Sequence, residues 1–163
     1  MDVEPELPRR AGPKPRTTPS NPHTQLDQIA PPAMQAAIAA HMFGRPCVEE
    51  RPSVVSVPGA RAMWIAEACV VGDRVAFLMG REHAHLHPPS DGSLHLALPP
   101  ALAEEAIAKG WAELHPVARR GLIPPTIVMV FGPRDEAELE VVKQLVDASF
   151  RFAHPEAVVP ERR

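Results

Sequence analysis

"REHAHLHPPSDGSLHLAL", residues 81–98, decides the fold, and it carries four of the chain's eight histidines. Read at the period of two that a strand imposes, His83, His85 and His87 share one face, and Ala84 and Leu86 share the other. The same alternation in "SLHLAL" sets His95 against Leu94, Leu96 and Leu98. Between the two runs, Pro88 to Gly92 with its Asp-Gly step has the chemistry of a five-residue hairpin loop. Closing that loop pairs His87 with Ser93 and His85 with His95. Every leucine then faces a core, and all four histidines gather on an exposed polar face opposite. A slip by one residue would bury histidines among leucines, so the pattern itself selects this register.

Working outward, "SVVSVPGARAMWIA" reads as two short β-rich runs around a Pro58-Gly59 turn, and "RVAFLM" as a third. "PPAMQAAIAAHMFGRP" opens on two prolines and stops at Gly44 and Pro46, which predicts one short helix. "PPALAEEAIAKG" repeats the scheme and ends at Gly110. "TIVMVF" is an unbroken apolar run, a buried strand. In "GPRDEAELEVVKQLVDASFRFAH", Asp135 is the expected N-cap, Glu138 completes a capping box, and Leu139, Val142, Leu145, Val146 and Phe150 form the inward stripe. Helix, strands, helix, strand, helix is an α+β order: a largely antiparallel sheet with helices packed on one face, in a single compact domain.

Composition narrows the function. The apolar share is 45%, enough for a core, and the net charge is −3 with a pI near 6.2. No Lys/Arg block exceeds two residues, which argues against nucleic acid or an anionic membrane as partner. No apolar run approaches the roughly 18 residues of a membrane span, and the first residues lack a signal-like pattern, so a cytoplasmic protein is expected. Cys47 and Cys69 lack CxxC spacing and are expected to be reduced thiols. Of 21 prolines, six fall in the first 23 residues, a stretch poor in apolar side chains. Residues 1–24 are therefore expected to be a disordered Pro-rich tail, residues 25–156 the domain, and residues 157–163 a flexible C-terminal tail. A solvated leader is preferred there over a ligand for an SH3-like partner.

The histidine face has two functional readings. An H-x-H pair on one strand with a third histidine on its neighbour can give a metal three imidazoles, and His85, His87 and His95 are the candidate ligands for a divalent transition metal such as zinc or iron. Clustered histidines also lower one another's proton affinity, which suits a proton-handling site or switch. The plain structural alternative is a polar face that happens to use histidine. Cupins share H-x-H, but the glutamate they place a few residues later is absent here, where "PPSDG" stands.

"SVVSVPGARAMW", "AFLMGREHAHLHPPSDGSLHLALP", "AEEAIAKGWAELHP" and "VFGPRDEAELEVVKQLVDASF" together resemble the luciferase-domain family, over about residues 50–153. Most members of that family are single-domain proteins of undefined activity, and the resemblance implies no luciferin. Its pattern carries over onto His85, His87, Asp91, Gly92, Ser93, His95, Trp111, Glu113, His115 and the Gly132-Pro133-Arg134 turn. The chain departs from it at His83, where an aromatic is frequent, and at Ala112, where glycine is frequent. The resemblance adds Glu113 and His115 as candidate catalytic groups, in a loop past the Gly110 helix stop, and Asp91, Ser93 and Arg134 as candidate ligand-binding groups. Trp111 reads as core packing. Arg134 at a strand-to-helix turn suits an anionic group, although Asp135 beside it favours a structural role.

Two classes stay open: a small-molecule or metal-binding domain, with catalysis undecided, and a non-enzymatic pH-responsive or protein-interaction module using the same histidines. A small molecule is the expected partner, and a homo-oligomer through a sheet edge is left open. No G-x-G-x-x-G follows any strand, which disfavours a nucleotide-dependent oxidoreductase.

Overall fold

In a computed structural model, which describes residues 6–156, the chain runs α1 (Pro32–Met42), β1 (Val48–Pro52), β2 (Arg61–Ile65), a 3-10 turn (Arg74–Ala76), β3 (Glu82–Leu86), β4 (Leu94–Ala97), α2 (Pro100–Ala108), β5 (Ala112–Leu114), α3 (Pro116–Arg119), β6 (Ile127–Val130) and α4 (Glu136–Ala153). The six strands form one antiparallel sheet in the order β1-β2-β3-β4-β6-β5, open at both edges. The α+β expectation holds. The C-terminal tail expected at 157–163 lies outside the described residues, as do residues 1–5.

The hairpin takes the register its turn chemistry predicts. His85 pairs with His95, Leu86 with Leu94 and Ala84 with Leu96, and the His87 amide donates to the Ser93 carbonyl at 2.9 Å. One sheet face therefore carries Ala84, Leu86, Leu94, Leu96, Val128 and Val130, and these join Ile38 and Met42 of α1 and Leu139, Val142, Leu145 and Val146 of α4 in the main core, while Phe150 packs with Ile65, Ala76 and Phe77 in a second cluster. Each leucine, isoleucine, valine or methionine among them contributes roughly 1.5–3 kcal/mol on removal from water. The N-cap of α4 is Asp135, whose carboxylate accepts the Glu138 amide at 2.9 Å. Glu138 does not close a capping box on Asp135. Its carboxylate accepts instead from the Arg134 amide and guanidinium.

Four expectations are corrected. "RVAFLM" is no strand: Asp73 caps the 3-10 turn within it, and the rest is loop. The first strand lies earlier, in the polar run Val48–Pro52, which sits at the sheet edge where charged residues and a proline are tolerated. Cys47 and Cys69 are joined by a disulfide, their Cα atoms 5.9 Å apart. Spacing could not reveal this pair, because two loops far apart in sequence bring it together, and it overturns the reduced-thiol expectation. Among the described residues, no helix is long and apolar enough to cross a membrane.

The fourth correction concerns the expected tail, which from Glu6 onward is a strap lying against the domain. Leu7 is buried in the main core, and Pro8 accepts a hydrogen bond from the Trp111 indole. The Arg10 amide donates to Lys109, and Arg134 reaches the Ala11 carbonyl. Thr17 and Gln25 bridge as a local antiparallel pair, and Gln25 Oε1 accepts from the Gly132 amide. Backbone groups and single polar side chains do the anchoring, so low apolar content did not leave the segment free.

Candidate functional site

His85, His87 and His95 stand on the sheet face opposite the main core, and they are buried rather than exposed, each at most 4% accessible. Strap and loops cover them. His83 leaves their company. The pairing of β2 with β3 slips between Met63 and Trp64, so that Met63 faces Ala84 while Trp64 faces Glu82. This bulge inserts one residue and reverses the alternation beyond it. His83 turns toward α4, where its Nδ1 meets Ser149 Oγ at 2.9 Å and its ring stacks on Phe150. Glu82 takes the vacated side, and its carboxylate accepts from His85 Nδ1 at 2.8 Å.

The geometry of the three remaining rings is specific. His85 Nε2 lies 3.2 Å from His87 Nε2 and 3.1 Å from His95 Nδ1, and the last two nitrogens are 3.0 Å apart. The outer nitrogen of every ring has a partner. His85 Nδ1 donates to Glu82, and His87 Nδ1 donates to Asp91 at 2.6 Å. His95 Nε2 meets His23 Nδ1 at 2.8 Å, and His23 Nε2 continues to Glu113 at 2.7 Å. With an ionised carboxylate at each end, one tautomer set satisfies all of these: the outer nitrogens carry the hydrogens. Three lone pairs then converge on one another with no proton between them.

The surroundings lock this arrangement. Glu82 also accepts from Ser53 Oγ and the Val54 amide. Asp91 accepts from the Ser93 hydroxyl and amide and from the Gln25 amide. Burial alone would raise the Asp91 carboxyl, but the hydrogen bonds from His87 and Ser93 hold it below its ordinary value. Burial and the neighbouring rings push His95 well below the usual histidine range, and burial lowers His85 despite Glu82. Against its own burial, Glu113 is held down to about 2 by His23, Lys14 and Thr17. Burial thus disfavours the charged form of His85 and His95, and the neutral imidazole is the form in which histidine binds metals.

A cavity of about 530 Å³ opens on these rings, within the usual size range of small-molecule sites. His23, His85, His87, His95 and His115 line its polar side, and Val55, Val57, Leu78, Met79, Val117, Ile123 and Ile127 its apolar side. Among the described residues, no lysine, arginine or carboxylate lines it.

The other expected residues divide. Asp91 and Ser93 belong to the site as the support of His87 rather than as lining of the cavity. Glu113 is not in a loop but on β5, paired with Met129 at the sheet edge, and it orients His23. His115 caps α3, its Nδ1 accepting the Val117 amide at 3.1 Å, while its ring lines the cavity. Burial and the nearby histidines lower it to about 4. Trp111 is core, as expected. Arg134 is held by Glu138, Gln28 and Ala11 and does not line the cavity. Two site residues escaped sequence reasoning: Glu82, hidden by the bulge, and His23, hidden in the strap.

Residues 80–149 match the model of the Luciferase domain family, the later two thirds of the stretch over which the motifs resemble it, without its first motif. Over 74 residues, 44% of this chain, the sequence is 43% identical to a protein named Luciferase from Armillaria ostoyae. It is 42% identical over the same length to those of Armillaria mellea and Neonothopanus nambi. The match covers 28% of each relative, so the chain spans little more than a quarter of the curated proteins it resembles. No solved structure matches it.

Proposed function

We propose that this chain, whose residues 80–149 match the Luciferase domain family, binds one divalent transition metal through His85, His87 and His95 and takes a small molecule into the cavity beside it. The observation that carries this reading is the triangle of ring nitrogens 3.0–3.2 Å apart with every outer nitrogen already committed. Three acceptors without a donor repel one another, and a cation at their centre turns that repulsion into coordination. His85 Nε2, His87 Nε2 and His95 Nδ1 would be the nitrogens that hold such an ion, imidazole being a common zinc ligand. Carboxylates hold the outer nitrogens of His85 and His87 directly, and Glu113 backs that of His95 through His23, as in carboxylate–histidine–metal arrangements. Three neutral imidazoles with an open site and no thiolate favour zinc. The two-histidine, one-carboxylate set of many non-haem iron sites is not the one assembled here.

The small molecule is supported by the cavity's size and mixed lining, and the lack of charged side chains among its described lining residues favours a largely uncharged ligand. Catalysis at the open position is an extension of this reading. Light emission, which the relatives' names suggest for them, is not carried over. The competing reading is a proton-responsive module using the same rings.

Elemental analysis of tag-free protein, with zinc titration followed by calorimetry, tests the proposal. One equivalent per chain in the wild type, lost in His87→Gln and His95→Gln while circular dichroism is unchanged, is the expected result. A wild type that neither retains nor takes up metal would overturn it and leave the proton-responsive module.

A further inference from the structure

His115 belongs to a second grouping that looks like a metal site: one ring nitrogen each from His23, His95 and His115 lie within 4.8 Å of one another. Hydrogen-bond accounting assigns it a different role. His115 Nδ1 accepts the Val117 amide at 3.1 Å as the N-cap of α3, so that nitrogen bears a lone pair and no hydrogen. A neutral imidazole with a bare Nδ1 carries its hydrogen on Nε2. The cation is excluded on the same ground, because a second N–H would face the Val117 N–H. Ligation through Nε2 would move the hydrogen to Nδ1 and break the cap. His23 and His95 are committed as well, the one accepting from the other at 2.8 Å and passing its own hydrogen to Glu113. Two of the three rings thus have no lone pair to give.

The His115 ring lines the cavity, its centroid 4.9 Å from that of His95, and its Nε2 has no hydrogen-bond partner among the described residues. We infer that His115 is a fixed hydrogen-bond donor rather than a metal ligand: it offers Nε2–H to an oxygen acceptor of the small molecule held beside His85, His87 and His95. This rests on the small-molecule reading of the cavity. A ligand chosen this way presents an acceptor oxygen to His115 while another atom meets the metal position. A donor fixed by the backbone costs little to organise, and it favours the state of the ligand with more negative charge on that oxygen.

The test uses the full chain. Nitrogen-15 NMR of the metal-free protein, with the His115 ring assigned by its loss in His115→Leu, reads the tautomer. Hydrogen on Nε2 is expected, and hydrogen on Nδ1 would overturn the inference. Cobalt titration should give the same single equivalent in wild type and His115→Leu. A second equivalent lost in the variant would make His115 a ligand and overturn the inference. On the cobalt-loaded protein, acetohydroxamate serves as the oxygen probe, read by the visible spectrum. Its affinity should fall about tenfold in His115→Leu, the effect of one hydrogen bond, and recover in His115→Asn, whose amide caps α3 through its oxygen and donates through its nitrogen. Equal affinity in all three proteins would overturn the donor role. If no cobalt binds, the metal reading fails separately, and the NMR tautomer still decides whether His115 is a donor.

Discussion

Glu82 does for His85 what Asp91 does for His87: each carboxylate fixes which ring nitrogen carries the hydrogen and so which one faces the centre. Glu82→Gln keeps an oxygen for His85 Nδ1 but removes the charge, and metal affinity should fall roughly tenfold to a hundredfold. Competition with a chromophoric chelator measures it, and an affinity unchanged from wild type would make Glu82 a packing residue only. His83, turned to the helix side, sets an acid limit on the fold. It is fully buried, its Nε2 has no partner, and burial lowers it from 6.5 to about 3. The unfolded chain takes this proton near pH 6.5 and the folded chain only near 3, so between these values the unfolded state binds more protons. Stability is therefore complete above 6.5 and declines as pH falls toward 3, by about 1.4 kcal/mol per pH unit at the steepest for this group. His83→Phe, which keeps a ring against Phe150, should show a shallower acid decline in urea unfolding at pH 7, 5.5 and 4.5. Parallel declines in the two proteins would exclude His83 as the source.

At the scale of elements, the hairpin was legible because two independent signals agreed, the alternation of leucine with histidine and the Asp-Gly turn. The bulge was not. A strand with one inserted residue has the same composition as one without, and only the partner strand, where Met63 and Trp64 meet Ala84 and Glu82, reveals it. "RVAFLM" misled for the complementary reason: its apolar run has strand chemistry, but Asp73 caps it into a 3-10 turn. The Gly92 end of the hairpin is the most sensitive point. Its φ is +68°, and a Cβ there would lie 2.7 Å from Gln35 Nε2, an amide that ties Ala30 to Pro89. Gly92→Ala should cost about 1–3 kcal/mol through backbone strain and displacement of Gln35. Because Asp91 and Ser93 flank it, metal affinity should weaken along with the midpoint of chemical unfolding. An undisturbed midpoint would show that the turn relaxes freely.

At the scale of the molecule, the inner strands, the three longer helices and the main core could be read from periodicity, whereas the short edge strands β1 and β5, α3 and the cover of the histidine face could not. Long-range backbone bonds hold the strap, and they leave no local pattern. Deleting residues 1–24 removes Leu7 from the core and His23 from His95, so the melting temperature should fall by roughly 4–8 °C for each kcal/mol lost, and metal should bind more weakly. A truncated protein with wild-type melting and metal affinity would reduce the strap to decoration. The disulfide should act separately. It closes a span of 22 residues, worth roughly 3 kcal/mol in the chain-entropy account. Reduction with dithiothreitol should lower the melting temperature yet leave metal stoichiometry at one, whereas loss of metal on reduction would tie the two features together. The strap also sets an order of events during synthesis. His23 leaves the ribosome 90 residues ahead of Glu113, a wait of roughly 5–20 s at ordinary elongation rates. Until β5 has emerged and paired, the ring behind His95 has no anion to lean on, so the nascent chain carries its first histidine idle and the centre is completed late, from both ends of the domain at once.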